Sequence, residues 1–201
     1  MLAVSDAKNY CAVYEPEEAD VTVFETGDFW SNTVRIRPLA STAEPRTIYA
    51  NDKFRADGTF KRDRMYFRTN DNAPNWKVMA ASYAQPEFRD WTTLIPQQAT
   101  VLADVTVTST HIVATMREDV LSKLVVHDLA GKALRDLALP EFGNVSEIAY
   151  DNDADRGYAT HPDTNGHGRV LTITGRPVPP LVLWSPDSTR LLTHRTDQRG
   201  V

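Results

Sequence analysis

Short apolar stretches recur along this chain at nearly constant intervals. In HIVATM (His111 to Met116), Ile112, Ala114 and Met116 alternate with Val113 and Thr115. That is the two-residue period of a pleated strand. VTVF (Val21 to Phe24), MYFRT (Met65 to Thr69) and GYAT (Gly157 to Thr160) read the same way. Their centres fall near residues 23, 67, 114 and 158, at separations of 44, 47 and 44. A second series is TVRIRPL (Thr33 to Leu39), WKVMAAS (Trp76 to Ser82), SKLVVHDL (Ser122 to Leu129) and GRVLTI (Gly168 to Ile173). Its centres, near 35, 78, 125 and 171, are 43, 47 and 46 apart. SDAKNYCAVY (Ser5 to Tyr14) and SPDSTRLLTH (Ser185 to His194) start 180 residues apart, four periods of 45.

A period of about 40–45 residues with several strands per repeat predicts β-propeller blades. Helical repeats of similar length need amphipathic helices, and no twelve-residue stretch shows convincing i, i+3, i+4 apolar spacing. The nearest, Asp119 to Leu129, runs into the turn signals Asp128 and Gly131. Within one repeat, HIVATM is followed by a polar turn, REDVLS (Arg117 to Ser122), and by the strand KLVVHDL. AGK (Ala130 to Lys132) then supplies a hairpin glycine, and ALRDLALP (Ala133 to Pro140) is an outer strand ended by a residue that cannot donate to a ladder. The repeat before it runs MYFRT, turn NDNAPN (Asn70 to Asn75), WKVMAAS, a loop, then WTTLIP (Trp91 to Pro96). The expected fold is an all-β, antiparallel propeller. It has about four blades of ~45 residues plus the start of a fifth, a partial propeller with residues 1–201 as one region.

Composition narrows the function classes. Hydrophobic residues are 41% and charged residues 24%, the balance of a folded globular chain. A formal net charge of −5 and no dense Lys/Arg block argue against nucleic acid or an anionic membrane as partner. No apolar run approaches the roughly 18–20 residues of a membrane span. The start, MLAVSDAKNY, has neither a basic n-region nor an apolar h-region, so no signal peptide is expected. Cys11 is the sole cysteine and excludes an internal disulfide. The expected compartment is cytoplasmic.

Several motifs carry a family resemblance. RTNDNAPNWKVMAA (Arg68 to Ala81) resembles the "TN-x-DAP-x-(aromatic)-(basic)-(aliphatic)" blade motif of the prolyl oligopeptidase family of serine peptidases, peptidase S9. Asp90 to Ser146 continues it, with segments similar to that family's "W-x-x-(L/V)-IP", "VL-x-DV" and "S-(K/R)-L-x-V-x-DL-x-GK". The strongest match is 68–146. LWSPDSTRLLTHR (Leu183 to Arg195) looks like the "WSPDG-x-(R/K)-L" repeat of the wider clan's propellers. The resemblance implies a propeller that gates an α/β-hydrolase domain bearing a Ser–Asp–His triad. That domain cleaves short peptides, often after proline. Its nucleophile needs a G-x-S-x-G elbow, and no serine here is flanked by glycines at that spacing. The expectation is therefore a noncatalytic propeller region, selecting substrates by size. Its partners would be a hydrolase domain in cis and oligopeptides. No catalytic residue and no cofactor or metal site is assigned, and substrate-binding residues are left unknown.

Other candidates each have a plainer explanation. Asp151, Asp153 and Asp155 imitate a calcium loop, but Arg156 and Pro162 occupy its glycine and glutamate positions. His161 and His167 lack further zinc ligands and read as a solvated loop. His194, beside Leu191 and Leu192, reads as a hydrogen-bonded strand residue. GHG (Gly166 to Gly168) lacks the third glycine of a dinucleotide fingerprint. Asn144-Val145-Ser146 is a chance sequon. Cys11, in CAVY, is expected to be a buried small hydrophobe. Trp30, Trp76, Trp91 and Trp184 could line a peptide channel, though blade-to-blade packing is the plainer role. KFRADGTFKRDR (Lys53 to Arg64) reads as a solvated face or loop, with docking to an acidic partner domain as its functional alternative. Arg117, Glu118 and Asp119 sit at a strand end, where propeller loops reach a channel mouth and a hydrolase domain. The rival functions are a stand-alone protein- or peptide-binding propeller and, less well supported, a propeller enzyme of another class.

Overall fold

The computed structural model describes residues 9–119, 121–137, 145, 147–151, 156–162, 168–172, 182–184 and 191–193. Seventeen strands appear among them, with one 3-10 turn at Phe88–Asp90 and no α-helix. β1 (Tyr10–Tyr14), β2 (Val21–Gly27), β3 (Asn32–Pro38) and β4 (Arg46–Ala50) form one sheet in chain order. β5 (Ala56–Phe60), β6 (Met65–Thr69), β7 (Lys77–Ala81) and β8 (Thr92–Ile95) form the second. β9 (Val101–Val107), β10 (His111–Glu118), β11 (Leu121–Asp128) and β12 (Ala133–Leu137) form the third. β13 (Glu147–Asp151), β14 (Arg156–Pro162) and β15 (Gly168–Thr172) make a three-stranded sheet, and β16 (Val182–Trp184) pairs with β17 (Leu191–Thr193). Each of the first four sheets is thus a sequential meander, the plan of a propeller blade. The contacts divide the chain into two compact units, 1–119 with 123–138, and 120–122 with 139–201.

The two sequence series correspond to particular strands. The first falls on β2, β6, β10 and β14, the second strand of each meander. The second falls on β3, β7, β11 and β15, the third strand. In the first three sheets these inner positions have ladder partners on both sides. In β10 five consecutive residues, Ile112 to Met116, are buried, so both faces are covered and the run is almost wholly apolar.

Aromatic packing joins the first two sheets. Trp91 stacks on Phe67 at 3.8 Å between centroids and on Tyr49 of β4 at 5.6 Å. Its indole N–H donates to the Pro86 carbonyl at 2.8 Å. Val23, Val34, Ile36 and Ile48 of the first sheet complete that core with Met65 and Phe60 of the second. A second core of Tyr66, Val78, Ile95, Leu102, Ile112 and Met116 joins the second sheet to the third. Gly131, the hairpin glycine between β11 and β12, has φ +89°, a conformation open to glycine at no steric cost. A Cβ there would also collide with the Leu94 carbonyl of the second sheet.

Two sequence expectations need correction. Cys11 is exposed, not a buried hydrophobe. It lies on β1, which among the described residues is an edge strand paired with β2 alone. KFRADGTFKRDR is not a solvated face or loop throughout, because it contains β5 with Ala56 and Phe60 buried. Two of its cations reach carboxylates far away in sequence: Lys61 bonds Glu18 at 2.7 Å, and Arg55 reaches Glu25 while also bonding its near neighbour Asp57 at 2.7 Å.

Candidate functional site

The turns β2–β3 and β6–β7 and the connections β4–β5 and β8–β9 meet at one end of the first unit. Their side chains hold neighbouring sheets together there. Asn32, at the start of β3, is 2% exposed. Its Nδ2 donates to the Ala56 carbonyl at 2.8 Å, and its Oδ1 accepts from the Ala56 N–H at 2.9 Å. Nδ2 also donates to Glu25 Oε1 at 2.9 Å. One side-chain amide therefore reproduces both halves of a ladder rung between sheets.

Arg55 extends this link into a polar belt. Its Nη1 donates to the Asp28 carbonyl at 2.7 Å and its Nη2 to the Tyr10 hydroxyl at 2.9 Å. Tyr10 donates in turn to Glu25. Asp57 accepts from Arg55 on one oxygen and from Arg68 Nη2 on the other, at 2.9 Å. Arg68 also donates to the Ala103 carbonyl of β9 and lies over the Trp76 ring at 4.2 Å. The belt runs from the first sheet through the second to the third. Burial, followed by Glu25, pushes the Tyr10 phenol well above its ordinary range, so it stays a proton donor.

The NDNAPNW segment works mainly as a clamp. Asp71 is buried and accepts from Asn51 Nδ2 at 3.1 Å, Asn72 Nδ2 at 2.7 Å and the Tyr49 hydroxyl at 3.4 Å. Asn70 Oδ1 accepts from the Arg55 N–H at 2.7 Å. Asn75 donates to the Gln98 and Ala99 carbonyls, and its own carbonyl accepts from the Leu102 N–H at 2.9 Å. Trp76 has φ +66°, an outlier for a bulky residue. Its N–H bond to the Ala73 carbonyl at 2.7 Å and the Arg68 guanidinium hold it there.

The four tryptophans separate by environment. Trp91 is buried at 6% exposure between two sheets, and Trp76 is half-buried against Arg68. Trp30 is 69% exposed at the crest of the β2–β3 turn beside Phe29, which is 78% exposed. Trp184 falls on β16. Arg117, Glu118 and Asp119 are exposed at the end of β10, with Asp119 at φ +53°. Asp151, His161 and Gly168 fall on β13, β14 and β15. Asp153, Asp155, His167, His194, Asn144, Ser146 and Gly166 lie outside the described residues. No group of three or more potential metal ligands occurs among the described residues.

His127 drew no attention in the sequence, yet it is 3% exposed with Nδ1 unpartnered. A polar residue two positions from Val125 on a buried strand was its only signal. Burial lowers its pKa, against the pull of the Val125 and Ile112 backbone and of Asp128 and Asp136. The unfolded chain therefore binds a proton that the folded chain resists. Stability from His127 is present above its ordinary value of about 6.5 and is lost as pH falls below it. A urea midpoint that declines between pH 7 and 5, with a shallower decline in His127→Leu, is the expected result. Equal slopes would remove His127 from the account.

The sequential four-stranded meanders, with cores between successive sheets, define the chain as an antiparallel β-propeller. It belongs to the family of prolyl oligopeptidase N-terminal β-propeller domains, which matches residues 2–159. Among solved structures, it is similar to a prolyl endopeptidase from a study of inter-domain dynamics in catalysis and specificity, with a TM-score of 0.74 and 19% identity. That alignment covers 96% of this chain and 32% of the other. It is also similar to prolyl oligopeptidase B from Galerina marginata, with a TM-score of 0.73 and 19% identity over 98% of this chain and 28% of that one. A mutant of the same protein bound to a 35mer hydrolysis and macrocyclization substrate aligns with a TM-score of 0.72. The chain thus spans about a third or less of these proteins. No curated protein matches the sequence. No helix among the described residues is long and apolar enough to cross a membrane.

Proposed function

We propose that residues 1–201 form one propeller region of a prolyl-oligopeptidase-type serine peptidase, acting as a gate that admits short peptides to a hydrolase domain. The observation that carries this is the family match over residues 2–159. The braced seams support it, because sheets tied by Asn32, Arg55 and Arg68 resist the separation that would admit a bulky chain. No residue here is assigned a catalytic role, so the reaction belongs to the partner domain. The single cysteine, which allows no internal disulfide, is in keeping with a cytoplasmic setting. A second reading, a stand-alone peptide-binding propeller, is favoured by the exposed aromatic turn at Phe29 and Trp30.

The test is a peptidase assay on proline-containing chromogenic peptides. The purified chain would be assayed alone and mixed with the separately expressed hydrolase domain of a prolyl oligopeptidase. No turnover is expected from the chain alone. In the mixture, long peptides should be cleaved more slowly relative to short ones than by the hydrolase domain alone. Robust turnover by the chain alone that survives serine-directed inhibitors would overturn the reading.

A further inference from the structure

We propose that the Phe29–Trp30 turn is a docking point for an arginine side chain carried by a partner protein. The proposal goes beyond the gating reading and does not depend on it. Phe29 and Trp30 are the two most exposed large hydrophobic side chains among the described residues, and they are adjacent. Their rings meet edge to face at 4.7 Å and 85°, presenting two nearly perpendicular aromatic walls to solvent.

The backbone beneath them is braced. Asp28 Oδ1 accepts from the N–H groups of Trp30 at 2.8 Å and Ser31 at 2.7 Å, and from the Ser31 hydroxyl at 3.1 Å. The Asp28 N–H donates to the Ser31 carbonyl at 2.9 Å. A Cβ at Gly27 would collide with the Ser31 carbonyl, so the turn closes only over glycine. Turn crests ordinarily carry Gly, Asn, Asp or Pro. Aromatic side chains on a braced backbone lose little freedom when a partner covers them, which is what makes them interface anchors.

The chain itself shows, twice, which group completes such an arrangement. Arg55 lies over the Tyr10 ring at 5.3 Å and bonds Asp57 while reaching Glu25. Arg68 lies over the Trp76 ring at 4.2 Å and bonds Asp57 at 2.9 Å. Each is a guanidinium held by an aromatic face and a carboxylate together. The turn crest has the aromatic faces and the carboxylate without the guanidinium. The arginines that lie over rings among the described residues are on Phe24, Tyr10 and Trp76, not on Phe29 or Trp30. Arg55 donates to the Asp28 carbonyl, but its charge is met by Asp57 and Glu25. The Ser31 and Trp30 N–H groups hold the Asp28 carboxyl below the usual carboxylate range, so it is ionised at neutral pH. They bond Oδ1, and no bond from another residue reaches Oδ2. An anion beside two exposed rings favours a cation. The openness of the site favours guanidinium over ammonium. A guanidinium is planar and weakly hydrated and stacks on an exposed ring, whereas an ammonium holds its water more tightly. One such exposed contact strengthens binding only about two- to fivefold, so it serves as one anchor within a protein interface and not as a site for a free small molecule.

The test titrates the isotopically labelled 201-residue chain with the Nα-acetyl amides of arginine, of citrulline (its neutral isostere) and of lysine, at millimolar concentration. The Trp30 indole N–H resonance, assigned with Trp30→Phe, is the readout. A dose-dependent shift with the arginine probe is expected, smaller with lysine and absent with citrulline. Phe29→Ala and Asp28→Asn should each weaken it about two- to fivefold. Asparagine keeps an Oδ1 acceptor for the turn and removes only the charge. Phe29 is exposed, so its truncation should leave the melting temperature unchanged, and lost binding is then not lost folding. A silent Trp30 resonance overturns the proposal. So does an equal response to arginine and citrulline, or a response that both variants leave intact. If Phe29→Ala instead converts an oligomer to monomer by sedimentation, the turn is a contact between copies and the proposal also fails. The gating assay reads cleavage of long peptides against short ones, so either reading can fail while the other stands.

Discussion

Replacing Trp91 with alanine is expected to remove about 3–5 kcal/mol of stability, a large part of the 5–15 kcal/mol of a typical domain. Three effects act together at this one side chain. Its ring is packed between Phe67 at 3.8 Å and Tyr49 at 5.6 Å, so truncation opens a cavity that neither sheet can close alone. Phe88, edge-on to both Tyr49 and Trp91, loses a face as well. The Pro86 carbonyl loses its indole donor. Trp91→Phe separates these terms. It keeps a ring in the stack and deletes the hydrogen bond, so a smaller loss of about 1–3 kcal/mol is expected. Urea unfolding followed by far-UV circular dichroism reads both. A loss under 1 kcal/mol for Trp91→Ala would show that the first seam does not depend on this stack.

The same residues show which parts of the fold could be read from the sequence. Second and third strands of a blade have neighbours on both edges, so their apolar alternation is strong and their period was visible. Edge strands are different. β5 reads ADGTF between KFR and KRDR, and its buried Ala56 and Phe60 are outnumbered by polar residues. Whether those cations are solvated depends on carboxylates such as Glu18 and Glu25, 43 and 30 residues distant in sequence, which no local pattern reveals. Trp91 and Trp30 look equivalent as letters. Only the third dimension puts one inside a seam and the other on a turn crest. The NDNAPNW motif carries the family resemblance, but its work emerges from hydrogen bonds to β4, the β4–β5 connection and the β8–β9 connection.

Asn32→Ala is expected to cost about 2–5 kcal/mol, because its effect is multiplied across a seam. Alanine leaves the buried N–H and carbonyl of Ala56 without partners and removes a donor from Glu25. Each stranded group carries a penalty of about 1–3 kcal/mol. Asn32→Asp tests whether the amide's two-sided character matters. A carboxylate still accepts from the Ala56 N–H, but it opposes the Ala56 carbonyl and Glu25 where the amide donated to both. Burial and the Glu25 charge would raise the new carboxyl's pKa. Once protonated it can donate to one of those oxygens. The penalty of Asn32→Asp, measured against wild type at each pH, should therefore shrink as pH is lowered, while that of Asn32→Ala should not. Hydrogen exchange at the Ala56 amide locates the effect. Faster exchange there, with Leu102 on the other seam unchanged, is expected if Asn32 acts as the bridge between the first two sheets. A uniform increase at both amides would instead make Asn32 one contributor to a single cooperative core.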